Sequence, residues 1–187
     1  MEDSMKPLSF YLQQSSGLSR MRSLSARDLP FDPILRPRGI VRMIVLDGGK
    51  VIATLEDHNL FVNAGLPALA ALLGGDGTGE FAVAVGFGSG AVAPTLTDAG
   101  LSAPAYYKTL DSHSEDGAGS VTFNWSLTTS DTGAVGITIQ ELGLFANKTT
   151  IVLPGTNTPT PLLARKTISP ITFTTSMSLL GTWTLTF

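Results

Sequence analysis

Glu141 is the residue whose surroundings in this 187-residue chain most demand a chemical explanation. It interrupts an apolar run, ITIQELGLFAN, between Ile139 and Leu142. A carboxylate in such a setting is rare unless it is paired. Arg165, in LLARKTISP, is the obvious partner on a neighbouring strand. Together they would form a structural ion pair that fixes register, within the fold or across subunits. The competing arrangement is a bulge at Glu141-Leu142-Gly143 that turns the acid to solvent.

The other reactive residues carry less. His58 lies beside Glu56 and Asp57, and His113 lies in DSHSEDG. Two histidines with no HxH or HxxxH spacing make a poor metal site, and no G-x-S-x-G elbow presents a nucleophile. Glu56/Asp57 and Glu115/Asp116 are adjacent pairs, so on a strand they face opposite sides and do not form a glycosidase pair. VGFGSGA, residues 85–91, has the look of a phosphate loop. Pro94 and a Thr/Asp loop follow it, where phosphate binding needs a helix N-terminus. The stretch reads instead as a turn with positive φ at several glycines. With no cysteine in the chain, disulfides, thiolate zinc sites and a Cys nucleophile are excluded. The sequence thus points to a non-enzyme with no catalytic, cofactor-binding or metal-binding residues.

The elements that must position Glu141 are mostly strands. In VTFNWSLTTS, Val121, Phe123, Trp125 and Leu127 alternate with Thr122, Asn124, Ser126 and Thr128. In GTWTLTF, Trp183, Leu185 and Phe187 alternate with Thr182, Thr184 and Thr186. Such alternation gives each ribbon an apolar inner face and a hydroxyl outer face. Residues 40–46 and 51–55 around Asp47-Gly48-Gly49 read as a hairpin. NAGLPALAALLGG reads as one short helix, with Asn63 as cap and Gly74-Gly75 as its stop. FAVAVGFGSG, residues 106–110, residues 135–147 and the last 26 residues supply further strands, and DSHSEDGAGS reads as a polar turn. The fold class expected is all-β: an antiparallel β-sandwich or jelly-roll-like body with one short helix and an extended N-terminal arm.

The expected division is an arm over residues 1–38 and a β-sandwich body over 39–187. Prolines at 30, 33 and 37 keep the arm extended. Residues 1–42 hold seven basic and four acidic residues, a net +3, and the remainder five and eleven, a net −6. A basic arm on an acidic body suggests that Arg20, Arg22, Arg27, Phe31, Arg36 and Arg38 bind a partner. The arginines are dispersed and lack an aromatic stacking series, which argues against specific nucleic acid. No apolar run reaches the ~18 residues of a membrane helix. Charged residues are only 14% of the chain, and an uncharged, threonine-rich surface suits subunit packing.

Four stretches occur in a telling order: HNLFVNAGLPALAALLGG, FAVAVGFGSGAVAPTLTDAGL, ITIQELGLFAN and LLARKTISPITFTTSMSLLGTWTLTF. Over residues 40–187 this series resembles small tailed-bacteriophage virion proteins, including the N-terminal module of tail-collar fibres. The resemblance implies a non-enzymatic β module that assembles on a phage particle, often as a trimer, with the major capsid protein or neck and tail proteins as partners. It places the chain in the virion, assembled in the host cytoplasm. The sequence ends at Phe187, directly after the module, and the resemblance then leads to an expected capsid decoration (cement) protein. A neck, tail-collar or baseplate adaptor is the alternative. A carbohydrate-binding β-sandwich, stacking sugars on Tyr106, Tyr107, Trp125 or Trp183, is a further one.

Overall fold

The computed structural model describes residues 36–75, 81–146, 155 and 159–187. Nine strands form one curled antiparallel sheet: β1 (Arg38–Asp47), β2 (Lys50–Phe61), β3 (Ala82–Gly88), β4 (Pro104–Thr109), β5 (Ser112–Glu115), β6 (Ser120–Leu127), β7 (Thr138–Ala146), β8 (Leu162–Thr172) and β9 (Met177–Thr186). The helix α1 (Leu66–Leu73) follows a 3-10 turn at Asn63–Gly65. The fold is therefore all-β with one short helix. In space the strands run β4-β3-β7-β8-β2-β1-β9-β6-β5.

Only two rungs join the halves of this sheet, Leu60 with Arg165 and Phe61 with Ala164, where the end of β2 meets β8. On one side lie β2, β1, β9, β6 and β5, and on the other β8, β7, β3 and β4. The sheet curls so that the halves face one another, with Phe87 of β3 packed edge-on against Trp125 of β6 at 5.6 Å between ring centroids. Leu110 and Asp111 alone separate β4 from β5, so the chain also links the two outer strands.

Alternation decides the core on the β1 side. Val41, Met43 and Val45 are buried while Arg42 and Ile44 are exposed. Phe123, Trp125 and Leu127, and Leu179, Trp183 and Leu185, face the same core. Trp125 lies directly over Gly181, where an added Cβ would meet the indole at 2.0 Å. β7 does not alternate, because both of its faces are covered. Leu142 and Leu144 point into the main core, while Phe145 joins Val62, Ala84, Leu101, Tyr107 and Leu162 in a second cluster. A strand covered on both faces reads as a continuous apolar run, which is how its stretch of sequence looks. In β8, Pro170 is tolerated because β2 has already diverged at Arg165 and leaves that edge unpaired.

Several sequence-based expectations are corrected. DSHSEDGAGS contains the edge strand β5, hydrogen-bonded to β6 from Ser112 to Glu115. It showed no apolar alternation because it is exposed on both faces. Asn63 caps nothing: no side-chain cap bond forms at either helical start. The compact unit begins at Arg36 and β1 at Arg38. Arg36 and Arg38 therefore belong to it and not to the segment before. Without them and Arg42, the charges of residues 1–35 balance at four basic and four acidic. The reading of Arg20, Arg22, Arg27 and Phe31 as partner-binding lies outside the described residues.

The Trp125–Gly181 contact gives the first prediction. Gly181→Ala forces the indole or the strand to shift, at a cost of about 1–3 kcal/mol. Gly100→Ala, where an added Cβ meets nothing within 4 Å, changes stability by no more than about 0.5 kcal/mol. Urea unfolding of the two variants beside the parent protein checks this.

Candidate functional site

Glu141 and Arg165 stand side by side on β7 and β8, where Gly143 pairs with Arg165 and Glu141 with Thr167. The register shifts between Ile139 and Glu141, where Gln140 stands against residues 168–170 of β8; the extra residues lie on β8 and not at the Glu141-Leu142-Gly143 bulge considered from the sequence. The acid does not turn to solvent: Glu141 is 0% and Arg165 2% exposed. Arg165 donates to Glu141 Oε2 from Nε at 2.8 Å and from Nη2 at 2.6 Å.

Both residues lie on the face of β7 and β8 opposite the main core, beneath the loop of residues 89–103. Glu141 gathers that loop by accepting from the backbone N–H groups of Gly90 (3.1 Å), Ser102 (3.0 Å) and Ala103 (2.7 Å). Arg165 reaches further along it, donating from Nη1 to Asp98 at 2.7 Å and from Nη2 to the Val92 carbonyl at 3.0 Å and Ser102 Oγ at 2.9 Å. Two opposed carboxylates on one guanidinium, saturated with backbone donors, are what allow charges to remain buried. Burial alone would raise the Asp98 carboxyl. Hydrogen bonds from Thr95 and Arg165 outweigh it, and the group sits below its ordinary value.

This node explains the last two glycines of VGFGSG, while Gly86 lies against the rings of Tyr107 and Phe145. Gly88 and Gly90 do not have positive φ, contrary to the turn expected there. A Cβ on Gly88 would meet Glu141 Oε1 at 2.6 Å, and one on Gly90 would meet it at 2.4 Å and Ser102 Oγ at 1.7 Å. These two glycines are required by close approach to the buried acid.

A second buried acid went unnoticed in the sequence. Asp131 accepts from Lys108 Nζ at 2.8 Å, from the Thr128 N–H at 2.8 Å and from the Tyr106 hydroxyl at 3.3 Å. It ties the turn after β6 to β4. Burial raises its carboxyl, but the bonds from Lys108 and Thr128 outweigh this and hold it low. Tyr106 is pushed up to about 12 by burial and then by the charge of Asp131. Asp98 and Asp131 share one signature, TLTD and TTSD. In each the aspartate accepts from the N–H of a threonine three residues earlier, the local chemistry of a capping box. The spacing was present in the sequence, but TLED at residues 54–57 shares it with a half-exposed Asp57, so it does not single out the buried acids.

The remaining reactive residues are dispersed. Glu56 pairs with Arg42 at 3.1 Å on an exposed surface, and Asp57 pairs with Lys166. His113 and Glu115 lie on β5. No group of three or more His, Asp or Glu that could hold a metal occurs among the described residues. Trp125 and Trp183 are core residues, as their alternation with polar neighbours implied, and Tyr106 and Tyr107 are buried with them, so none of the four offers an exposed stacking face. Among the described residues no helix is long and apolar enough to cross a membrane. Comparison with family models, curated proteins and solved structures gives no match.

Two predictions follow from these nodes. Arg165→Met leaves the carboxylates of Glu141 and Asp98 without their shared cation and costs about 3–5 kcal/mol; Glu141→Gln leaves Arg165 paired with Asp98 and costs less, about 1–3 kcal/mol. The double variant recovers part of the summed loss, since the two groups touch. Chemical denaturation of the three variants measures the coupling. The second concerns acid. Asp98 and Asp131 are held low in the folded protein, so their contribution is complete above the unfolded-state value of about 4. It is lost as the pH falls through their lower folded values. Melting temperature falls below about pH 4, and Asp131→Asn flattens that limb while lowering stability at neutral pH; thermal melts across pH test it.

Proposed function

We propose that this chain is a non-enzymatic structural protein of a tailed-bacteriophage virion. Specifically, it is a capsid decoration, or cement, protein that binds the particle through its body and N-terminal segment. The observation that supports this reading is the node beneath residues 89–103. The most buried polar cluster described in the chain directs its donors and acceptors to its own backbone, which is the arrangement of a loop anchor. The loop it fastens exposes Val92 (65%) and Leu96 (42%), apolar side chains on an immobilised backbone that lose little freedom on docking.

The outer face of β6 and β9 supports association as well. Its hydroxyls bond across the ladder, Thr122 to Thr184 at 2.9 Å and Ser120 to Thr186 at 3.0 Å. Polar groups already satisfied within the sheet cost less to take out of water than unpaired ones. Copies of the chain are expected to close into a symmetric trimer.

The test is location. Tailed particles from a host producing this chain are purified and resolved by cryo-EM, with light scattering of the free protein. The expected result is density on the head lattice, in trimers. Density at the neck or tail would replace decoration with an adaptor role, and absence from particles would overturn the proposal. Removing residues 1–35 deletes no described strand and should leave the melting temperature unchanged while weakening particle binding; equal binding would exclude attachment through that segment.

A further inference from the structure

β5 ends the sheet, and among the described residues nothing pairs with its outer edge. Its His113 and Glu115 lie opposite Phe123 and Val121 across the ladder, and so share their face. There they border an apolar groove of about 300 Å3, lined also by Phe61, Leu72, Phe81, Leu185 and Phe187. Phe81 and Phe187 are 55% and 60% exposed. Ligand pockets run from about 300 to 1,000 Å3; this one is at the small end, which suits side chains better than a cofactor. Glu115 puts an acid on the groove's rim, and the β5 segment, residues 111–116, holds three acids with no Lys or Arg.

An open edge offers backbone donors and acceptors to an incoming strand, and a groove beside it receives every second side chain. We propose that β5 and this groove accept an extended segment of another polypeptide, alternating in apolar residues and carrying Lys or Arg against Glu115. The segment adds as a tenth strand, its apolar side chains enter between Phe81 and Phe187, and its cation meets the acidic edge. A second copy's β5 is the wrong occupant: it would bring the same three carboxylates to the edge, and like charges opposed across a ladder repel. The inference does not depend on which assembly the chain belongs to.

The probe is a short blocked peptide alternating leucine with threonine and carrying two arginines, titrated into the isotope-labelled full chain and followed by NMR. A matched peptide has glutamates in place of the arginines. Shifted and exchange-protected amides are expected at β5 and around the groove, for the arginine peptide alone. Glu115→Lys should weaken that peptide about fivefold and admit the glutamate peptide. Phe187→Ser should weaken the arginine peptide with the fold intact, since Phe187 is exposed. No detectable binding, equal binding of both peptides, shifts confined to another strand edge, or self-association through β5 would each overturn the proposal.

Discussion

Burying Glu141 and Arg165 takes two charges out of water, at several kcal/mol per ion, and only dense mutual contact offsets that. Much of one half of the sheet is arranged to supply the contact. β7 and β8 must be neighbours in one register for the side chains to meet. Gly88 and Gly90 must lack side chains for the backbone to reach the acid. The loop of residues 89–103 has no regular structure, yet it donates three backbone N–H groups to one carboxylate. Leu101 of that loop completes the second apolar cluster. The ion pair and the cluster thus cover the same face of β7, one with hydrogen bonds and the other with apolar area.

Asp98 and Asp131 extend the principle. Each first closes a turn on the threonine three residues before it, then receives a distant cation, Arg165 or Lys108. The local bond restrains the carboxylate by itself, so less side-chain freedom is lost in pairing with the long-range cation. Threonine-rich connections in this chain are therefore more than solvated links.

The all-β class, the hairpin around Gly48-Gly49 and the helix ending at Gly74 were legible because each follows from local rules: alternation, turn residues and a helix stop. Glu141 was legible for a different reason, since a charge inside an apolar run violates a pattern. Arg165 could be named because it directly follows the apolar stretch LLA of a complementary run. Asp98 and Asp131 were hidden because they stand in polar loops, where an acid violates nothing. β5 was hidden because a strand exposed on both faces carries no periodic signal. The role of Gly88 and Gly90 depended on Glu141, more than 50 residues away, which no local reading could supply.

Arg165 has a second position that matters. It is one of the four residues in the two rungs that stitch β2 to β8, and its side chain holds the loop bearing Val92. Tension applied to that loop therefore divides: part passes through Glu141 into β7, and part through Arg165 into the narrowest seam of the sheet. On either side of the seam lie the far longer ladders of β1 with β2 and β7 with β8. Pulled at this loop, the molecule carries load along the Arg165 branch through a short stitch in series between two long ones.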